Sequence, residues 1–483
     1  MAQLVSGVTA ATVRVDSASE LSSGVIISRE GYVLTVAHGL SENELQVTVK
    51  FSDGTSAKAD VVYRNSKRDV ALLRVVDASQ RKFVAVSLGT KKVTDNATVL
   101  AFGYPAREKQ TATPVVRLGK LTGSYAKNIR SSCVLTAGDS GGPLVSTGGE
   151  LLGIHQRIGV DRTTNLHLSI DECCAALLDS IDLRQLPLLG WPSKSPGQLS
   201  VMAKDIWQHR AVEILKAKHQ VTAWGTVMNS HTVVTKLSLL KPNTKFQVRT
   251  LNGDMHACEL VAENRSVDIA VLLLSVAIDV ESIGLDASAR LRIGHLVYGN
   301  EAGEPGIIAR IDHTEPAARP RLGCTLKSVN DGLVIEQVSP DSAAADGSLQ
   351  PTDELRVLSS AKTLQLADVA VAVEQHQPGD WVQFLFRRAG VDQTSFGQLR
   401  HEPSEMLDRS EFLDGRSGEL SLRRSSFSHT LQHDLPLTPQ QMGGPLLSAE
   451  GKVIGVNIAR RAREAVLAIP IEVLLSTCPE ISR

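Results

Sequence analysis

Thr136-Ala137-Gly138-Asp139-Ser140-Gly141-Gly142-Pro143-Leu144-Val145 is the stretch on which the reading of this chain turns. A serine between glycines on a tight turn can aim its own backbone N–H and that of Gly138 at one point, which an acyl-transfer site needs for a developing oxyanion. Ser140 is therefore the candidate nucleophile. The Gly-Gly-Pro that follows lets a strand leave the turn at close backbone approach. A structural corner can have the same composition, so the stretch acquires chemical meaning only with a base and an orienting acid elsewhere.

Both stand upstream. Residues 3–80 read as short strands: Ser23-Gly24-Val25-Ile26-Ile27-Ser28 and Tyr32-Val33-Leu34-Thr35-Val36-Ala37 are rich in β-branched residues and parted by Arg29-Glu30-Gly31, a hairpin turn with its glycine in place. His38 ends the second run. Asp69 immediately precedes the apolar run Val70-Ala71-Leu72-Leu73-Arg74-Val75. Singly, His38 reads as a surface histidine and Asp69 as a turn residue. In the order His38, Asp69, Ser140 they allow a nucleophile, a general base and a group that fixes the base's tautomer.

Thr-Val-Ala-His, Asp-Val-Ala-Leu-Leu and Gly-Asp-Ser-Gly-Gly-Pro, 31 and then 71 positions apart, resemble the trypsin-like (chymotrypsin-fold) serine proteases. The segments Ser23 to Thr35 and Gly149-Glu150-Leu151-Leu152-Gly153-Ile154 are closer to the HtrA/Deg branch. The resemblance covers about residues 3–180 and implies two perpendicular six-stranded barrels with the site in the cleft between them. It implies His38, Asp69 and Ser140 as a triad, and Gly138 and Ser140 N–H as the oxyanion hole. It further implies a specificity pocket with its floor near Val134 and with Ile154, His155 and Gln156 along its wall. No acid stands at that floor, so a small or medium apolar residue is expected before the scissile bond. Asp139 departs from the asparagine often found there in HtrA proteins and matches digestive trypsins, yet the N-terminus has no activation-peptide pattern.

Composition bounds the alternatives. A chain of 483 residues is too long for one core. Lys and Arg total 51 against 52 Asp and Glu, so no global charge draws it to nucleic acid or an anionic membrane. No apolar run is long enough for a membrane span. Cys133, Cys173, Cys174, Cys258, Cys324 and Cys478 lack metal-ligand spacing and read as free thiols. The first residues carry no secretory pattern, although the family resemblance implies an extracytoplasmic address. No metal or organic cofactor is implied. A monomer is expected, with intramolecular domain pairing, because the aromatic trimerisation segment common in HtrA enzymes does not precede Val5.

After about residue 180 the pattern changes. Residues 183–212 read as a proline-bearing linker, with a weak helical pattern from Ala203 to Lys218. Trp224-Gly225-Thr226-Val227-Met228 and Thr232-Val233-Val234-Thr235 then parallel the strand pair before His38, with the histidine's place falling near Ser238. Val267-Asp268-Ile269-Ala270-Val271-Leu272-Leu273 keeps the aspartate. Met442-Gly443-Gly444-Pro445-Leu446-Leu447 resembles the nucleophile region, but Met442 stands where serine should be, and a thioether cannot be deprotonated to attack a carbonyl. Residues 213–318 and 403–483 are therefore expected to form a degenerate, inert second copy. Asp268 and Met442 stand 174 apart, against 71 for Asp69 and Ser140, which leaves room for an inserted module at 319–402. Its Arg321-Leu322-Gly323-Cys324-Thr325-Leu326, Gly332 to Val338, Ser339-Pro340-Asp341-Ser342-Ala343 and Trp381 to Arg387 resemble a PDZ domain, with Leu322, Gly323 and Cys324 as the peptide-carboxylate loop. Glu402 to Arg424 is charged and reads as a surface excursion.

The expected architecture is all-β dominated: tandem chymotrypsin-like double barrels, residues 1–182 and the degenerate copy, plus a PDZ-like α+β module. The expected activity is a serine endopeptidase acting on protein or peptide substrates, in protein quality control or regulated proteolysis. An inactive scaffold and a chaperone-like holder of unfolded chains are the alternatives. An intact triad argues for the enzyme, since a scaffold has no chemical use for the three side chains together.

Overall fold

The computed structural model describes residues 1–482 except 77, 79–80, 90–93, 109–110, 126, 178–201, 203, 279–283, 288–289, 301, 330–331, 364 and 403–408. Strands dominate it. Thr12–Asp16, Leu21–Ile26, Tyr32–Thr35, Gln46–Lys50, Ser56–Asn65 and Val70–Val75 close one barrel. Thr98–Gly103, Val115–Tyr125, Asn128–Ser131, Pro143–Ser146, Leu151–Arg157 and Asn165–Ser169 close a second. The alternating β-branched runs turn every other side chain inward, so Val13, Val15, Val25, Val33, Val47 and Val49 are all buried.

The same order of pairing recurs downstream. Ala211–Lys216, Gln220–Val227, Thr232–Lys236, Gln247–Thr250, Met255–Asn264 and Ile269–Leu274 form a third closed barrel, with neighbours as in the first. Leu296–Val297, Gly306–Glu315, Phe427–His433, Pro445–Leu447, Val453–Ala462 and Ala465–Pro470 form a six-stranded sheet with the strand order of the second barrel. Its ends meet through Tyr298 and Leu447, whose backbones exchange hydrogen bonds of 3.0 and 2.8 Å. Ile307 and Ala309 of this sheet belong to the same apolar core as the first two barrels, so the two barrel pairs are packed together.

The extra length enters between Gly306–Glu315 and Phe427–His433, whose register still pairs Glu315 with Phe427. There Cys324–Val329, Gly332–Val338, Glu354–Leu358, Trp381–Arg388 and Val391–Gln398 make a separate sheet, covered by the helices Ala343–Asp346 and Leu366–Glu374. A core of its own holds it together, including Leu333, Ile335, Leu355, Phe384 and Phe386. A ribbon of Pro320–Arg321 with Arg400–His401 forms its neck.

Two local expectations are corrected. Ala2–Ala11 is a helix rather than strand; its buried Leu4, Val5, Val8 and Ala11 follow helical spacing, and alanines favour it. The weak helix from Ala203 to Lys218 is a helix only over Lys204–Gln208, and Ala211–Lys216 pairs with two neighbours as a strand. Glu402 to Arg424 has exposed residues such as Glu411, Phe412 and Arg416 in its described part, and is anchored by Asp414 and Arg423, which are buried and ion-paired to Arg107 and Asp380. The linker expected at 183–212 lies mostly outside the described residues. No disulfide joins any of the six cysteines.

Candidate active site

His38 follows the Tyr32–Thr35 strand and Asp69 precedes Val70–Val75; these strands are adjacent, so their ends deliver both residues to one barrel rim. His38 Nδ1 lies 2.9 Å from each Asp69 carboxylate oxygen, and the His38 backbone N–H donates to Asp69 Oδ1 at 3.0 Å. The carboxylate thereby assigns the Nδ1–H tautomer and leaves Nε2 as the acceptor. The His38 side chain is 37% exposed and that of Asp69 19%, so the imidazole edge can meet a substrate.

Ser140 reaches the same region from the second barrel, and Ser23 connects the two. The Ser23 N–H donates to Ser140 O at 2.8 Å, and the Ser23 hydroxyl donates to Gly138 O at 2.8 Å while accepting from the Tyr104 N–H at 2.9 Å. Thr35, three positions before His38, donates its hydroxyl to Ser23 O at 2.7 Å. The strand that ends in His38 is thus tied to the turn that carries Ser140. Sequence reasoning passed over Ser23 because a serine inside a strand signals nothing until its partner, far along the chain, is known.

The turn has the backbone that its glycines allow. Gly138 has φ +95°, and a Cβ there would strike Tyr104 O; Gly141 has φ +86°, and a Cβ there would strike Ser23 O and Thr35 Oγ1. Gly141 N–H donates to His155 O and His155 N–H to Gly142 O, both at 2.8 Å, which pins the turn to the Leu151–Arg157 strand. Among the described residues, neither Gly138 N–H nor Ser140 N–H donates to an internal acceptor.

Asp139 is buried beneath the turn. Its Oδ2 accepts from Arg117 Nη1 at 2.8 Å and from the Thr136 N–H at 2.7 Å. Burial pushes the carboxyl up to about 6, against the pull of the Arg117 guanidinium and the Thr136 N–H. Arg117 is fully buried too, and an arginine remains charged there. No motif in the sequence marked it, because it lies in an ordinary strand.

The residues expected around the specificity pocket divide. Val134 and Gln156 are half-buried and retain surface. Ile154 and His155 are fully buried, and the His155 ring is turned into the barrel, where it bonds His167 Nδ1 at 2.8 Å and Phe102 O at 3.1 Å. Its side chain does not reach a pocket wall. A carbonyl only accepts, so His155 carries its proton on Nε2, His167 Nδ1–H donates to His155 Nδ1, and the Ser131 hydroxyl donates to His167 Nε2 at 2.7 Å. Both rings are neutral: burial lowers His167 to about 3 and His155 well below its usual range.

In the second barrel pair the corresponding place is filled differently. The Ser238 N–H donates to Asp268 Oδ1 at 2.8 Å, as His38 does to Asp69, and both aspartates have φ near 59°. The Ser238 hydroxyl occupies Asp268 Oδ2 at 2.8 Å, and the buried Lys236 Nζ stands on that oxygen at 2.7 Å. Met442 is fully buried, and its carbonyl accepts from the Trp224 N–H at 3.3 Å, parallel to Ser140 and Ser23. A cavity of about 1150 Å³ opens beside Ser238, lined also by Leu240, Phe246, Cys258 and Trp381; no residue of the first barrel pair lines it.

In the inserted sheet, Leu322 O accepts from the Ala344 N–H at 3.1 Å and Gly323 O from the Ser339 N–H at 2.8 Å, while Cys324 opens a strand paired on one side only among the described residues. Gly323 has φ +79°.

The profile of the trypsin-like peptidase domain family matches residues 22–154. A protein of Brucella suis described as a probable periplasmic serine endoprotease DegP-like is 35% identical over 408 residues, covering 78% of this chain and 72% of its own. One of Rhizobium meliloti with the same description is 25% identical over 396 residues, covering 78% and 74%. A probable periplasmic serine protease do/HhoA-like of Haemophilus influenzae is 36% identical over 145 residues, 29% of this chain and 31% of its own. Since the likeness extends through most of the chain and the barrels bring a histidine, an acid and a glycine-flanked serine to one region, the chain belongs to the DegP/HtrA family of trypsin-like serine endoproteases.

Proposed function

We propose that the chain hydrolyses peptide bonds of protein substrates at the Ser140 site through an acyl-enzyme. Ser140 Oγ attacks the scissile carbonyl as its proton passes to His38 Nε2, and Asp69 stabilises the imidazolium. The carbonyl oxygen, now negative, lies between the N–H groups of Gly138 and Ser140. His38 returns the proton to the leaving amine as the C–N bond breaks, and water repeats the sequence on the acyl group. The observation that carries this reading is the bond of His38 Nδ1 to both Asp69 oxygens, tied through Thr35 and Ser23 to a turn whose two N–H donors have no internal partner among the described residues.

The second pair of barrels is read as catalytically inert, since Met442 offers no nucleophile and Ser238 no base. Residues 319–402 are read as a PDZ-like peptide-binding module that uses the edge of Cys324–Val329 left unpaired among the described residues to recruit substrate, with the Leu322-Gly323-Cys324 loop at its end. The descriptions of the relatives as periplasmic favour an extracytoplasmic address and a role in quality control or regulated proteolysis. Val134 at the pocket floor, with no acid beside it in sequence, favours a small or medium apolar residue before the cut.

The test is digestion of unfolded casein by the full chain, with cleavage sites read by mass spectrometry. Cleavage that disappears in Ser140→Ala supports the assignment; cleavage that persists there removes Ser140 from the mechanism. Cuts clustered after Arg or Lys would refute the apolar pocket alone.

A further inference from the structure

We propose that the second barrel pair is a built-in activator of the first: by gripping Arg107 and Glu108 it holds the Ala137-Gly138 peptide with its N–H facing the Ser140 site. The proposal rests on the reading of Ser140 as nucleophile and adds what sets its oxyanion donor.

A trans peptide is planar, with its C=O and N–H pointing in opposite directions. The Ala106 N–H donates to Ala137 O at 2.7 Å, so the Gly138 N–H of that same peptide faces away from Ala106; like the Ser140 N–H, it has no internal partner among the described residues. Rotation of the peptide would break this bond and turn a carbonyl into the oxyanion position. Glycine at 138 makes such rotation sterically inexpensive, so the active orientation needs an external hold.

That hold comes from Ala106, and Ala106 is placed by the two residues after it. Arg107 pairs with Asp414 at 2.8 Å and lies 3.6 Å from Glu464; Glu108 pairs with Arg461 at 3.1 Å and with Arg310. All four partners belong to the second copy or its return segment. Glu108, Asp414 and Glu464 side chains are 4%, 6% and 1% exposed, so the charges are desolvated and moving one leaves its partner uncompensated. A second brace runs parallel. Asp434 of the second copy accepts the Leu118 N–H at 2.6 Å and the Ile307 N–H at 2.7 Å, fixing the strand on which Arg117 holds Asp139. Arg463 Nη2 also donates to Gly159 O and Asp161 O, at 3.1 and 3.0 Å, on the loop after the Leu151–Arg157 strand. The copy without its own nucleophile thus touches the first at the segments that frame the Ser140 turn.

The experiment compares the full chain with Asp414→Asn, Glu108→Gln, Arg107→Asp and the swap Arg107→Asp/Asp414→Arg, using a fluorophosphonate probe and a chromogenic peptide amide. The proposal expects each single variant to lose about a hundredfold in kcat and in the rate of Ser140 phosphonylation, the scale of one lost oxyanion donor. KM should stay within about threefold and final labelling should still reach about one per chain, with the swap recovering at least about tenfold. Variants labelled at the parent rate overturn the proposal. So does loss confined to the final labelled fraction, which is what partial unfolding produces. A parent chain that is never labelled at Ser140 removes the nucleophile itself, whereas a labelled parent with indifferent variants removes only the activator.

Discussion

His38 Nδ1 stands 2.9 Å from both carboxylate oxygens of Asp69, and one of these oxygens also accepts the His38 backbone N–H. A single acid therefore orients the ring and anchors the main chain that carries it. Asp69→Asn retains the shape but offers an amide N–H where an acceptor is needed, which favours the wrong histidine tautomer. We expect kcat to fall by about four orders of magnitude with KM little changed. Steady-state hydrolysis of a peptide amide measures this, and a loss of under about tenfold would contradict the role assigned to Asp69.

Restoring a serine to the second copy should not restore chemistry there. In Ser140→Ala/Met442→Ser the new hydroxyl would face no imidazole, because Ser238 and Lys236 already occupy Asp268. Casein cleavage by the double variant should equal that of Ser140→Ala. Activity above that level would mean that the second copy holds a base unaccounted for.

Lys236 is a buried cation whose Nζ also donates to Arg423 O at 2.9 Å and Ile458 O at 2.6 Å. Lys236→Met strands the Asp268 carboxylate and should cost about 3–5 kcal/mol of stability. In Lys236→Met/Asp268→Asn the charge is removed with its partner, so the double variant should be less destabilised than the sum of the singles. Urea titrations of the four proteins close the cycle; additivity would show that the pair is not coupled.

The neutral pair His155 and His167 makes stability depend on acid. His167 titrates at about 3 in the folded protein against 6.5 when unfolded, so between these values the unfolded chain binds the extra proton. The stabilising contribution is complete above 6.5 and is lost as pH falls towards the folded value. Asp139 and Asp434, both pushed up to about 6 by burial, act in the opposite sense: their contribution is largest below 3.8 and is lost as pH rises through 6. His167→Gln should lower the slope of unfolding free energy against pH in the acid range by about one proton, roughly 1.4 kcal/mol per pH unit. An unchanged slope in denaturant titrations would show that His167 does not carry the effect.

Much of the fold was legible because each barrel is built from local signals: β-branched runs, glycine turns and motifs in a recurring order. The recurrence of Asp69 as Asp268 and of Ser140-Gly141-Gly142-Pro143 as Met442-Gly443-Gly444-Pro445 located the second copy and the gap that holds the insert. The helix at Ala2–Ala11 was missed because its apolar residues also suit short strands, and only packing on the barrel selects the helical face. The orientation of His155 was not legible for a related reason: which way its ring turns depends on His167, on a neighbouring strand.

The chain's covalent identity by itself determined which groups each copy can offer: a hydroxyl at 140 and an imidazole at 38, with a thioether at 442 and no imidazole at 238, are matters of which atoms are present. Only the tertiary structure decided what holds the Ser140 turn in place. Ser23, Ala106, Arg117 and Asp434 come from separate strands and loops, and their bonds form across space between groups that no spacing in sequence relates.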